Sequence, residues 1–128
     1  MSDNETTSVR YMVNNVEAAL AFYTKHFGFD PLTTTLPAFA DVRRGKLRLL
    51  LSGPQSSAGR ALADGVQPQP GGWNRIHFIT ADLDAEMARL KAEGVSFRND
   101  VVTGPGGRQV LVQDPSGNLI ELFQPAGT

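Results

Sequence analysis

Residues 9–28, VRYMVNNVEAALAFYTKHFG, and residues 76–94, IHFITADLDAEMARLKAEG, follow the same pattern. Each begins as a short apolar strand, continues through an Asx residue into an amphipathic helix, and closes on a glycine. Asn15 and Asp82 hold the equivalent position in the two stretches, 67 residues apart in a chain of 128. Because the repeat spans about half of the chain, it predicts two packed copies of one module, with a cavity where the copies meet.

The first module is predicted to have the order βαβββ. Its opening strand alternates Val9, Tyr11 and Val13 with other side chains, which is the period of a strand with two different faces. Asn14 or Asn15 can cap the helix that follows, and a glycine suits the left-handed position at its end. Three further strands are predicted at about 30–35, 38–43 and 46–52.

The second module repeats this order. A strand at about 75–81 leads to Asp82, which caps a helix that closes at Gly94. Residues 114–118, DPSGN, predict a hairpin, because proline presets φ and glycine permits positive φ. Strands are predicted near 95–102, 107–113 and 118–124.

Composition fits one domain that contains both modules. We place the modules at about 8–52 and 74–124, joined by a Pro/Gly-rich segment that is either a linker or a flexible flap over a site. A net charge of −1 without a basic stripe disfavours nucleic-acid binding. The polar N-terminus and the lack of cysteine and of long apolar runs indicate a cytoplasmic protein that does not enter membranes, although lack of cysteine alone also permits export.

Two segments resemble the vicinal oxygen chelate superfamily, which includes glyoxalases, bleomycin-binding proteins and extradiol dioxygenases. Residues 13–29, VNNVEAALAFYTKHFGF, look like its opening, and residues 113–122, QDPSGNLIEL, look like its ending. The resemblance implies an α+β fold of two βαβββ modules that form a curved mixed sheet around a cavity. It also implies a homodimer, but it does not select one activity.

The resemblance also marks where metal ligands are usual in the superfamily's enzymes. Those positions hold Ser8, Arg75 and Glu121, and a further one falls near Arg48 or Leu50. Serine is a poor ligand for divalent cations, and an arginine guanidinium offers no lone pair. We therefore expect no metal and no other cofactor.

Glu121 lies in an apolar row of the last strand, where a buried and unpaired carboxylate would be costly. We expect a salt bridge to Arg75, which either only neutralises the glutamate or also orients a bound molecule. His77 lies two residues after Arg75, on the same face of its strand. It is either a neutral, hydrogen-bonded residue of the cavity wall, which we favour, or a ligand of a shifted metal together with Glu121.

Other candidate ligand-binding residues follow from strand alternation. Arg10, Met12 and Arg48 face the cavity if their apolar neighbours face the helices. These cations against one glutamate favour an anionic or carbonyl-rich ligand, unless Arg10 and Arg48 reach water at the strand ends. Trp73 either stacks on a flat ligand or packs at a module or subunit boundary. The predicted ligand-binding set is Arg10, Met12, Arg48, Trp73, Arg75, His77, Glu121 and Phe123.

The function that the sequence favours is binding of a small organic molecule, anionic or antibiotic-like, without metal. The alternative is a lyase or isomerase of glyoxalase type, with His77 and Glu121 as candidate catalytic residues. A third class, an oligomerisation module, predicts a cavity filled by side chains. The expected partners are a small molecule and a second copy of the chain.

Overall fold

Each of the two repeated stretches forms a strand and a helix, and antiparallel strands follow each helix. The computed structural model describes residues 5–127, which divide between Gly71 and Gly72 into two compact units. The first unit contains β1 (Thr7–Met12), α1 (Val16–Phe27), β2 (Asp30–Thr35), β3 (Phe39–Arg44) and β4 (Leu47–Ser52). The second contains β5 (Ile76–Ile79), α2 (Leu83–Ala92), β6 (Ser96–Phe97), β7 (Val102–Gly104), β8 (Gly107–Gln113) and β9 (Leu119–Pro125).

The sheet of the first unit has the strand order β1-β4-β3-β2. β1 runs parallel to β4, and the other pairs are antiparallel. α1 packs against this sheet with its apolar stripe, in which Phe22, rather than the neighbouring Leu20, is buried. Leu49 and Leu51 of β4 are completely buried, and the alternate residues Arg48 and Leu50 belong to the opposite face of the sheet.

The helix caps make the two modules locally equivalent. The Asn15 side chain accepts a hydrogen bond from the Ala18 amide at 3.0 Å, so Asn15 rather than Asn14 is the cap of α1. Asp82 accepts from the Ala85 amide at the same distance at the start of α2. Gly28 ends α1 with φ of 67°, in the left-handed region that a glycine adopts without strain.

The sheet of the second unit has the strand order β5-β9-β8-β6, and β7 pairs with β8 as well. β5 runs parallel to β9. The predicted hairpin between β8 and β9 is confirmed: Asp114 accepts hydrogen bonds from the amides of Ser116 and Asn118, and Gly117 has φ of 85°. On β9, Ile120 and Leu122 are buried on one face, which leaves Glu121 on the other.

One strand prediction was wrong. The single strand expected at 95–102 is two short strands, β6 and β7, separated by residues 98–101. In the pairing with β8, these four residues stand opposite only two. The ladder is interrupted because the Asn99 side chain accepts the Leu111 amide at 2.9 Å, in the place of a backbone carbonyl.

Both modules therefore have the α+β architecture that the sequence predicts, each with one helix against a mixed sheet. Neither helix in residues 5–127 is long and apolar enough to span a membrane.

Candidate functional site

The second unit brings Arg75, His77 and Glu121 together on one face of its sheet, as the alternation of β5 and β9 predicts. His77 and Glu121 are direct neighbours in the parallel pairing of these strands. Arg75 lies two residues before His77, immediately before β5, and its side chain reaches Glu121 on the same face. We call these three residues the Glu121 cluster.

The expected ion pair is present. Oε1 of Glu121 accepts two hydrogen bonds from Arg75, from Nε at 3.0 Å and from Nη2 at 2.8 Å. The glutamate side chain is 9% exposed and that of Arg75 is 27% exposed. Arg75 is itself oriented by a third hydrogen bond, from Nη1 to the carbonyl oxygen of Trp73 at 3.2 Å. Two of the three guanidinium nitrogens, Nε and Nη2, therefore bind a single carboxylate oxygen.

The second oxygen of Glu121 is much less constrained. Its neighbour in the cluster is His77, whose Nε2 lies 3.4 Å from Oε2, beyond the usual length of a hydrogen bond. The His77 side chain is 45% exposed, so this imidazole is half in solvent rather than sealed in a wall. Oε2 is thus the acceptor of the cluster that can receive a hydrogen bond from an added molecule.

Apolar and aromatic groups surround the Glu121 cluster. Phe123 follows on the same face of β9, and its ring centroid lies 5.1 Å from that of His77. Ile79, the next residue of β5 on this face, is 68% exposed and adds apolar surface beside the cluster. Trp73 is 66% exposed, but the Arg98 guanidinium lies 5.7 Å from its ring centroid and occupies one side of the indole.

The first unit carries a second buried carboxylate that the sequence prediction missed. Asp41 of β3 is on the face opposite α1, and its side chain is only 2% exposed. Oδ2 accepts from Arg48 Nε at 2.7 Å, and Oδ1 accepts from the Thr33 amide at 2.7 Å. Asp41 is therefore a carboxylate that the predicted count of several cations against one glutamate did not include, and it pairs with Arg48 within the first unit.

Arg10 and Met12 lie on the face of β1 opposite the buried Tyr11 and Val13, as predicted. Arg10 is exposed, and its Nη1 donates to Oγ of Ser52 at 2.9 Å. Its contact with a neutral hydroxyl leaves the guanidinium charge in solvent.

The metal positions that the resemblance marks do not fit a divalent cation. Glu121, the one carboxylate among them, is held by a guanidinium, and a cation next to Arg75 would be repelled. Arg48 is likewise bound to a carboxylate. Within residues 5–127 no three His, Cys, Asp or Glu side chains lie close enough to hold an ion.

Comparisons with known proteins agree with this fold. The family model described as the Glyoxalase/Bleomycin resistance protein/Dioxygenase superfamily matches residues 6–122. No curated protein matches the chain at a significant level. The lactoylglutathione lyase of Agrobacterium tumefaciens is 26% identical, with a TM-score of 0.70, over 92% of this chain and 91% of the lyase.

Two further solved structures are similar over nearly their whole length. TnmS3, an antibiotic binding protein from a Streptomyces species, is 28% identical over 98% of this chain and 99% of its own, with a TM-score of 0.71. A superfamily member from Sphaerobacter thermophilus is 28% identical over 93% and 95%, with a TM-score of 0.73. Since the family model covers nearly all of the chain, the protein belongs to the glyoxalase/bleomycin resistance protein/dioxygenase superfamily.

Proposed function

We propose that this protein binds a small organic molecule at the Glu121 cluster and that binding needs no metal. The observation that carries the proposal is the asymmetry of the Glu121 carboxylate. One oxygen is fully engaged by Arg75, and the other has His77 at 3.4 Å. A hydroxyl or N–H group of a ligand would donate to that second oxygen, in a charge-assisted hydrogen bond.

The surroundings of the cluster favour a ligand with a flat apolar body. Phe123 and His77 present neighbouring rings, and Ile79 presents an exposed aliphatic surface beside them. Because Arg75 and Glu121 cancel each other's charge, a neutral ligand fits better here than the anionic one that the count of arginines favours. A polycyclic hydroxylated antibiotic has this chemistry, and the similarity to the antibiotic binding protein TnmS3 supports an antibiotic as the ligand.

Thermal-shift measurements on a panel of hydroxylated aromatic compounds would test the proposal. A compound at about a hundredfold excess over its Kd stabilises the folded protein by about 2.7 kcal/mol, so binding is readily detected. In Glu121→Gln the amide keeps an oxygen for Arg75 but turns a donor towards the ligand. We expect this variant to lose at least a tenfold factor in affinity. Glu17→Gln, which changes an exposed glutamate of α1, is the matched control and should bind like the wild type.

The proposal that binding needs no metal rests on the residues at the usual metal-ligand positions. Arg75 occupies one oxygen of Glu121, and its positive charge would repel a cation at the other. Elemental analysis of the purified protein should therefore find no stoichiometric divalent metal. One Zn, Ni, Fe or Mn per chain, lost in a Glu121 variant, would overturn this part.

A second candidate function is a lyase or isomerase of glyoxalase type. The observation that favours it is the contact between His77 and Glu121, a pair that can exchange a proton with a bound substrate. The similarity to a lactoylglutathione lyase supports the same class. His77→Gln would separate the two functions, since it would abolish turnover in an enzyme, whereas in a binding protein it would remove one ring contact and keep the hydrogen bond to Oε2 of Glu121.

We further propose that the protein acts in the cytoplasm as a homodimer with an isologous interface. Support comes from β2, an edge strand whose six residues are all exposed, including Leu32. Exposed edges of this kind are usually covered. Light scattering at micromolar concentration that gives the mass of a monomer would contradict the dimer.

A further inference from the structure

The segment that follows β4 lines a cavity of about 190 Å³ within the first unit, and this cavity is half open to solvent. Residues 53–70 fold back over the ends of β1 and β4, so this stretch forms a wall rather than an open connection. The cavity has two sides. One consists of residues at the strand ends, Met12, Val13, Asn14 and Ser52, and the other consists of Gly53, Pro54, Gly59, Gln67, Pro68, Gln69 and Pro70.

Local hydrogen bonds hold the wall in place. The buried Ser56 hydroxyl donates to the Gly53 carbonyl at 2.7 Å and accepts the Gly59 amide at 3.0 Å. Gly59 packs so tightly that an added Cβ would lie 2.0 Å from the Gly53 carbonyl oxygen. The Gln67 side chain donates to the Gly59 carbonyl at 2.8 Å and ties the far end of the wall to its start.

Prolines stiffen the same stretch. The cavity is lined by Pro54, Pro68 and Pro70. The ring of each proline fixes its backbone φ angle. A wall that is already ordered costs a ligand little conformational entropy on binding.

The lining of the cavity selects the charge of a guest. Every polar side chain that lines it, those of Asn14, Ser52, Gln67 and Gln69, is neutral. A cation would lose hydration here without gaining an ion pair, whereas an amide or carbonyl finds both donors and acceptors. In size the cavity exceeds the roughly 150 Å³ of an engineered cavity that binds benzene, so one six-membered ring fits.

We propose that this cavity is a second ligand site, which takes a neutral, ring-sized molecule that carries an amide or carbonyl group. The site goes beyond the proposed function, because none of its lining residues belongs to the Glu121 cluster. The prolines and Met12 pack on the ring, and the amide of Gln69 pairs with the polar group of the guest. Recognition therefore depends on neutral hydrogen bonds rather than on arginine.

The test is an NMR titration of the amide resonances with two probes of equal ring size, δ-valerolactam and piperidinium. We expect the neutral lactam to shift the amides of Met12, Asn14, Ser52 and Gly59 in a saturable manner, with a Kd on the order of a millimolar. The cation should leave them unchanged. Saturable binding of piperidinium at these residues, or no saturation by the lactam, would overturn the proposal.

Two tryptophan variants complete the test. Gln69→Trp puts a large ring at the cavity, and Gln55→Trp makes the same change at an exposed residue of the same segment that does not line it. Lactam binding should weaken at least tenfold in the first variant and stay at the wild-type level in the second. Equal binding to both would place the lactam elsewhere. Neither variant changes a residue of the Glu121 cluster, so failure of this proposal and failure of the proposed function are separate results.

Discussion

Asp41 in the first unit and Glu121 in the second are both buried carboxylates on the face of a sheet opposite its helix, and each is held by an arginine. Their second oxygens differ. Oδ1 of Asp41 accepts the Thr33 amide at 2.7 Å, so both of its oxygens are bound by groups of the same sheet. Oε2 of Glu121 has an exposed imidazole at 3.4 Å.

This difference separates a structural ion pair from one that can bind a ligand. The Asp41 carboxylate ties three strands together, since Thr33 lies in β2 and Arg48 in β4. The Glu121 carboxylate is fixed on one side only, by Arg75, and keeps acceptor capacity on the other. Buried charge therefore marks a candidate site in this protein only where the hydrogen bonds of the carboxylate are incomplete.

The largest effect is expected from Arg75→Ala. This change leaves the carboxylate of Glu121 buried with only a half-exposed histidine beside it, and should lower the free energy of unfolding by about 3 to 5 kcal/mol. Urea denaturation of the wild type and the variant measures the difference.

A double-mutant cycle provides the control for that change. Arg75→Met combined with Glu121→Leu removes both charges and should recover much of the lost stability. Strictly additive effects of the single changes would mean that the two side chains do not interact, and the comparison between the two carboxylates would fail.

Asp41→Asn should have the next largest effect, a loss of roughly 1 to 3 kcal/mol. Both oxygens of Asp41 accept hydrogen bonds, so the amide nitrogen of asparagine must face a donor, either the Thr33 amide or Arg48. The matched control is Asp30→Asn, at an exposed position of β2, which should change the urea midpoint little. If Asp41→Asn lowers the free energy of unfolding as little as the control does, then the hydrogen bonds of Asp41 to Thr33 and Arg48 do not stabilise the fold.

Glu121→Gln is expected to cost less, below about 1 kcal/mol, although the chemical change is the same. Glutamine can keep its oxygen towards Arg75 and turn its nitrogen towards His77, whose imidazole accepts a hydrogen bond when neutral. The comparison is therefore sharpest between these two amide variants. If Glu121→Gln destabilises as much as Asp41→Asn, then Oε2 is engaged in the folded protein and is not available to a ligand.

Much of the Glu121 cluster could be predicted because short-range rules determine it. Side chains of a strand alternate between its two faces, so Arg75 and His77 share a face. A carboxylate in an apolar row, such as Glu121, requires a partner of opposite charge. The helix caps and the DPSGN hairpin followed from the local chemistry of Asx, proline and glycine.

The features that were missed depend on register. Gly45 and Lys46 form a two-residue turn between β3 and β4, which sets Asp41 opposite Leu50 and diagonal to Arg48. That turn was the available signal for the Asp41 pair. The interruption between β6 and β7 had no such signal, since it depends on the Asn99 side chain replacing a backbone acceptor on another strand.

A third carboxylate, Asp84 on α2, completes the comparison with the smallest expected effect. Its oxygen Oδ1 accepts from Arg108 Nη2 at 2.8 Å, as in the two buried pairs, but the side chain is 74% exposed. The hydrogen bond and charge of Arg108 lower the pKa of Asp84 below its ordinary value. The pair therefore stabilises the fold above the ordinary pKa of aspartate, and this contribution is lost as the pH falls through the lowered pKa.

Asp84→Asn should leave the thermal midpoint unchanged within error at pH 7 in 1 M salt, because solvent and ions screen the interaction. A midpoint loss like that of Asp41→Asn would mean that burial is not what distinguishes these three acids.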